Sequence, residues 1–175
     1  MTRAQLEHIV RAAGAITDEQ TILVLGSQAI LGSFPTPPEP LAFSREADVC
    51  PMTAPEKADL ISGAIGEISQ FDSTFGYYAH GVGEETAVLP EGWKNRLIPI
   101  AGPSTGGATG LCLEVHDLAV SKLVAGRPKD LRFIGDLLGH GLANPDTLRQ
   151  RLAGTALDDR VRSACAARLA RILQV

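Results

Sequence analysis

Apolar residues along the chain follow two alternating periods, one helical and one extended. Leu6, Ile9, Val10 and Ala13 recur at helical spacing and predict an amphipathic helix ending near Gly14, followed by a polar turn at Thr17-Asp18-Glu19. Thr21-Ile22-Leu23-Val24-Leu25 is an aliphatic, β-branched run too short for a helix, so it predicts a buried strand stopped by Gly26-Ser27. Gln28 to Gly32 then has the composition of a helix start. Pro35, Pro37, Pro38 and Pro40 predict an exposed, stiff loop. Beyond it, Glu46-Ala47-Asp48-Val49 alternates acid and apolar, as a strand does when one face meets the core and the other a cleft, so both carboxylates share one side.

The pattern continues in the second half. Pro55 opens a helix carrying Ala58, Leu60, Ile61, Ile65 and Ile68; Phe75–Val82 and Thr86–Leu89 predict a hairpin; and Trp93–Ile100 predicts a further strand. The Gly-, Ser- and Thr-rich segment 103–110 reads as a flexible loop before a short strand, Leu111–Val115. From His116 onward the chain reads helical. Asp117 is placed to cap a helix through Leu118, Val120, Leu123 and Val124 to Gly126, and Arg127-Pro128 to open another through Phe133, Ile134 and Leu137. Two more helices, over 148–152 and 161–173, carry dispersed arginines. The predicted class is α/β, a mixed sheet flanked by helices with a C-terminal helical segment. Residues 1–115 are expected to form the core and 116–175 a helical segment packed on it as one compact unit, with no repeat and no linker.

Composition narrows the functional classes. The 175 residues are 45% hydrophobic and 21% charged, which excludes disorder as the general state. Cys50, Cys112 and Cys165 are scattered, with no CxxC pair for zinc or a disulfide framework, so a reducing cytoplasm is expected. The most apolar stretch, Ile22–Phe34, is interrupted by Gln28 and too short to span a bilayer, and the first residues lead into an amphipathic helix rather than a signal core. No membrane role is expected. Net charge is −4, but residues 1–90 carry −8 and residues 91–175 carry +4. That asymmetry permits a polyanion on the C-terminal side, where Arg149, Arg151, Arg160, Arg162, Arg168 and Arg171 lie, though scattered surface charge is the commoner source of such asymmetry.

The informative chemistry is the Gly26-Ser27 turn after a buried strand, followed by Ser44-x-Glu46-x-Asp48 on a second one. Carboxylates at i and i+2 of a strand are carried about 6–7 Å apart along the backbone and suit hard cations, with Mg²⁺ the first candidate. A Gly-Ser turn can offer backbone N–H groups and a hydroxyl to phosphate oxygens. Each residue also has a purely structural use: Ser27 as a helix cap, Glu46 and Asp48 as solvated edge-strand acids, Lys122 as a snorkelling helix lysine, and Asp130 as a cap or partner of Arg127. His8, His80, His116 and His140 lack metal-ligand spacing and read as surface or locally bonded residues.

In its order of Gly26-Ser27 and then Glu46-Ala47-Asp48, the chain resembles the nucleotidyltransferase superfamily. The stretch from Asp117 through Lys122, Arg127 and Lys129 to Asp130 and Leu131 is further similar to the lysine helix and Lys-Asp motif of abortive-infection type, toxin-like nucleotidyltransferases and their uncharacterised relatives. The resemblance covers roughly residues 20–138. It implies a nucleotidyltransferase-like fold, a metal held by Glu46 and Asp48, phosphate contacts from Gly26, Ser27 and Lys122, and Asp130 completing the catalytic set. The implied reaction is metal-dependent transfer of a nucleotide from an NTP to a hydroxyl acceptor, an RNA end or a protein. The chain departs from the family pattern in two places. Glu46 stands where aspartate is usual, and Glu84, Glu85 and Glu114 compete for a third carboxylate with no motif to choose among them. These departures keep a second expectation open: a catalytically inactive relative acting as a nucleotide- or protein-binding module in a toxin–antitoxin or regulatory pair.

Overall fold

The computed structural model describes residues 1–174. Helix α1 (Arg3–Thr17) starts at Thr2, whose hydroxyl accepts from the Gln5 N–H while the Gln5 side chain accepts from the Thr2 N–H. It runs nearly a turn past Gly14, the Thr17 hydroxyl donating to the Ala13 carbonyl, and ends where Asp18 adopts a left-handed backbone (φ 55°). Strand β1 (Thr21–Val24) leads through Gly26 into a 3₁₀ turn, Ser27–Ala29, and the short helix α2 (Ile30–Ser33). The proline-rich segment is not wholly loop: α3 (Glu39–Ala42) forms inside it, because a proline in a first helical turn lacks only an N–H that would have no intrahelical partner. Strand β2 (Glu46–Pro51), helices α4 (Ala58–Ile65) and α5 (Gln70–Phe75), and strands β3 (Tyr78–Gly81), β4 (Ile98–Ile100) and β5 (Thr109–Cys112) follow. Helices α6 (Val115–Ala125), α7 (Pro128–Gly139), α8 (Pro145–Ala153) and α9 (Asp159–Ile172) close the chain.

The five strands form one mixed sheet in the order β3-β2-β1-β5-β4. The pairs β1/β2 and β5/β4 are antiparallel, whereas β1/β5 and β2/β3 are parallel. One apolar cluster runs from Leu6, Ile9 and Val10 of α1 through Ile22, Leu23 and Val49 of the sheet to Leu118 and Leu123 of α6, then Leu148 and Leu169 of the last two helices. Among the described residues no helix is long and apolar enough to cross a membrane.

The structure corrects several local expectations. The hairpin over 75–89 does not form; Phe75 ends α5, residues 84–86 make a 3₁₀ turn, and β3 pairs in parallel with β2 instead. The segment 103–110 is ordered by a 3₁₀ turn in which Thr105, buried beneath α1, exchanges hydrogen bonds with the Gly102 backbone. Residues 93–96 are a 3₁₀ turn, and only 98–100 form the strand. Glu114, not Asp117, caps α6 by accepting from the His116 N–H. Arg162 donates to the Leu152, Ala153, Thr155 and Leu157 carbonyls, and Arg168 to those of Leu123 and Val124. Arg168 therefore serves the C-terminal carbonyls of α6, and Arg162 those of α8 and of the loop after it, rather than an outward basic surface.

Asp117 turns inward instead of capping. It is fully buried, takes two hydrogen bonds from Arg96 at 2.8 and 3.0 Å, and lies 3.8 Å from Arg151, tying the segment before β4 to α6 and α8. A buried charge that loses its partner is costly, whereas removing both partners together leaves nothing unpaired. Arg96→Leu strands Asp117 with only its distant second arginine and is expected to lower unfolding stability by about 3–5 kcal/mol in urea titrations. The double variant Asp117→Leu, Arg96→Met leaves only the partly exposed Arg151 without its carboxylate and is expected to recover most of that loss. Equal destabilisation of the two would show that the ion pair does not govern this junction.

Candidate active site

Strand β2 alternates as its sequence requires: Ala47 and Val49 are buried, whereas Glu46 and Asp48 open onto a cleft. The neighbouring β1 delivers its turn to the same place, because the Leu25 N–H donates to the Asp48 carbonyl at 2.9 Å and the chain then passes Gly26 directly beside the Asp48 carboxylate. A Cβ on residue 26 would lie 1.9 Å from Asp48 Oδ2, so only glycine fits while that carboxylate holds its position. Ser27 follows at the start of the 3₁₀ turn, and its hydroxyl accepts from Lys122 Nζ at 2.8 Å.

A third side chain joins the two acids. In the parallel β2/β3 register Asp48 lies opposite His80, which places His80 Nδ1 3.4 Å from Glu46 Oε1 and 3.7 Å from Asp48 Oδ1. Donor atoms of all three fall within 4.8 Å of one another. Burial, and then the charge of Asp48, hold the Glu46 carboxyl above its ordinary value, although His80 and Lys129 pull the other way. Two oxygen donors, one nitrogen donor and crowded negative charge fit a divalent cation with open coordination positions.

The opposite wall is cationic. Lys122 of α6 is almost wholly buried, its ammonium 3.3 Å from Asp130 Oδ1 and 4.5 Å from the centre of the Phe133 ring. Burial lowers the Lys122 pKa, and the Asp130 carboxylate partly offsets this. Burial by itself raises the pKa of Asp130, but its hydrogen bond from Arg127 and the charges of Lys122 and Arg127 prevail and bring it below the usual carboxylate value. Arg127 donates to Asp130 through Nε at 2.6 Å and Nη2 at 3.3 Å. Helix α7 starts here because Pro128 occupies its first turn, and that start carries Lys129 and Asp130 to the cleft.

Gly26, Ser27, Glu46, Asp48, Lys122 and Asp130, the residues singled out in the sequence, all line one cleft of about 410 Å³. The structure adds His80, Arg127 and Lys129 to the charged and polar lining of the same cleft. The candidates for a third carboxylate lie outside the lining: Glu84 pairs with Lys94 at 2.8 Å, and Glu114 holds His116, whose other ring nitrogen accepts from the Asn144 N–H. Glu85 likewise does not line the cleft. His80 was concealed because a strand's partner is a non-local property. The alternation of Tyr78 and His80 about the buried Ala79 was its only local trace.

The raised pKa of Glu46 has a consequence for stability. An acid whose folded-state pKa exceeds its unfolded value is neutral in both states at low pH; the penalty appears as pH rises past the unfolded value and is complete above the folded one. Glu46→Gln is therefore expected to raise the Tm of the cation-free protein at pH 7.5, on the order of 1–2 °C for a half-exposed group, and to leave it unchanged at pH 4. Thermal melts in chelator-treated buffer at both pH values test this. Destabilisation at pH 7.5 would contradict it.

A family model described as a nucleotidyltransferase of unknown function (DUF6036) matches residues 4–161. Neither the curated proteins nor the solved structures offer a match to the chain. The family's description reaches the superfamily and does not single out the abortive-infection group. The matched span runs from α1 into α9 and includes every residue of the cleft described above, so the chain belongs to the DUF6036 family of nucleotidyltransferases of unknown function.

Proposed function

We propose that the protein transfers a nucleotide from an NTP to a hydroxyl acceptor, with a divalent cation, Mg²⁺ in the first instance, held by Glu46 and Asp48. The observation that carries this reading is the juxtaposition, across one cleft, of paired carboxylates with a buried lysine that already bonds the serine of a Gly-Ser turn. The arrangement matches a polyphosphate, which needs cation bridging on one side and fixed positive charge on the other.

Lys122 and Ser27 form the phosphate-holding wall. An incoming phosphate oxygen can replace the Lys122 to Ser27 hydrogen bond with one bond from each side chain, at no net loss of pairing. Asp130 keeps the Lys122 ammonium aligned and favours its charged form, and Arg127 keeps Asp130 ionised. Gly26 lets the backbone approach without a side chain in the way. A cation bound by the two carboxylates would supply charge neutralisation on the phosphate oxygens. The acceptor oxygen forms a bond to the α-phosphorus and gives its proton to solvent, while the bond to the bridging oxygen breaks and pyrophosphate leaves against Ser27 and Lys122. The protein's share of the catalysis is positioning and electrostatics.

For the acceptor we favour a hydroxyl on an RNA end or on a partner protein, in the cytoplasm where NTP is available. Four of the six C-terminal arginines are engaged, Arg162 and Arg168 with carbonyls, Arg149 with Asp146 and Arg151 beside Asp117, so an RNA surface rests on the exposed Arg160 and Arg171. One observation favours a second reading, a catalytically inactive relative serving as a binding module in a toxin–antitoxin or regulatory pair: β3 presents His80 opposite Asp48 where an acid would complete a carboxylate triad.

Purified protein incubated with each α-labelled NTP and either Mg²⁺ or Mn²⁺, with and without tRNA-sized RNA, separates the two. Release of pyrophosphate with label on RNA or protein supports transfer. Thermal stabilisation by NTP without turnover supports the binding module. Lys122→Met keeps the hydrophobic stem but removes the charge, so turnover is expected to fall by roughly 10²–10³ while the protein stays folded. Asp48→Asn is expected to abolish cation-dependent NTP binding in calorimetry. Unchanged turnover in Lys122→Met, or unchanged binding in Asp48→Asn, would overturn these roles.

A further inference from the structure

We propose that His80 is itself a ligand of the divalent cation, through Nδ1, and that this nitrogen gives the site a preference for Mn²⁺ over Mg²⁺. The inference rests on the reading above in taking Glu46 and Asp48 as the other two ligands.

The geometry of the donors carries it. Donor atoms at adjacent corners of a six-coordinate ion with bonds of about 2.1–2.2 Å stand about 3 Å apart. His80 Nδ1 lies 3.4 Å from Glu46 Oε1 and 3.7 Å from Asp48 Oδ1, so small side-chain rotations bring all three donors onto one face of such an ion. The imidazole is the protein's own third donor: Glu84 and Glu114 are engaged elsewhere, and neither they nor Glu85 reach the cleft.

The backbone of β3 fixes the imidazole's origin. Immediately after His80, the Gly81 N–H donates to Ser62 Oγ at 2.9 Å, and α4 presses so close that a Cβ on residue 81 would lie 1.9 Å from the Ala58 carbonyl oxygen. On the other side the ladder to β2 sets His80 against Asp48. A ligand held from both sides loses little freedom on binding.

The chemistry then follows from ligand type. Mg²⁺ demands oxygen and dehydrates reluctantly, so replacing a carboxylate by an imidazole removes a charge it needs and offers a nitrogen it disfavours. Mn²⁺ accepts the same six-coordinate, oxygen-rich geometry and tolerates imidazole nitrogen. In the ligating form His80 is neutral, with its proton on Nε2 and the Nδ1 lone pair towards the ion. His80 is thus the chain's substitute for the third acid, and the site it completes is a nitrogen-containing one.

Electron paramagnetic resonance of the protein titrated with Mn²⁺ alone tests this without reference to turnover. Electron spin echo modulation from a directly bonded ¹⁴N is expected in the wild type and absent in His80→Asn. Mn²⁺ affinity is expected to fall at least roughly tenfold in His80→Asn, the loss typical even of outer-shell partners. Competition with Mg²⁺ is expected to show the Mn²⁺ preference narrowing in His80→Asp, which restores a carboxylate triad. If Mn²⁺ binds the wild type and is lost in Asp48→Asn, yet shows no ¹⁴N modulation and the same affinity in His80→Asn, the role of His80 fails while the acid-pair site stands. If the wild type binds neither ion, both fail together.

Discussion

A lysine ammonium enclosed between the end of β1 and the start of α7 is the constraint on which the cleft's geometry depends. Lys122 reaches Ser27, 95 positions earlier in the chain, and Asp130, eight positions later. Burial by itself would push that ammonium towards its neutral form, and the Asp130 carboxylate, with a smaller contribution from Asp48, opposes this. Asp130 is buried in turn and stays ionised through Arg127 and Lys122. Such chains of charge add little to folding stability, because desolvation offsets most of the attraction, but each member fixes its neighbours' positions. The wall facing the carboxylates is therefore preset before any ligand arrives.

The cleft divides by sign. Glu46 and Asp48 crowd together on β2, whereas Lys122, Arg127 and Lys129 stand on or just before the helices across from them. Burial and then the neighbouring Asp48 charge disfavour the Glu46 carboxylate, so positive charge placed between the walls relieves the acidic side. A polyphosphate with its cation presents both signs at once, which is why this arrangement suits nucleotide chemistry better than it suits a plain anion or a plain metal. A separate buried cluster, Asp117 with Arg96 and Arg151, holds α6 and α8 in place and keeps the lysine-bearing helix from drifting.

What could be read from the sequence was what local periodicity controls. The Gly-Ser turn follows an aliphatic run that can only be a strand. The acid-x-acid alternation sends two carboxylates to one side whatever the strand's partners, Lys122 sits on a helix apolar on most of its sides, and Asp130 on one with a clear apolar stripe. The mixed α/β class emerged from the same patterns. The rest depended on pairings between distant segments. Whether β3 pairs with β2 or with a hairpin arm cannot be told from residues 75–89 alone, and His80 enters the site only through that choice. Asp117 has the spacing of a cap, but Glu114 takes that duty and leaves Asp117 free to meet an arginine 21 residues earlier. Arg162 and Arg168 gave no sign that they would close helix ends.

Gly26 is glycine because of a carboxylate on another strand: the space its side chain would need is filled by Asp48. The two positions are therefore tied in inheritance. Any descendant that keeps Asp48 in this pose is barred from acquiring a side chain at 26. One that loses the acid is released from that bar, and the vacated space invites an alanine or serine. A larger residue at position 26 would mark a lineage in which Asp48 has left this pose, whether by substitution or by turning away.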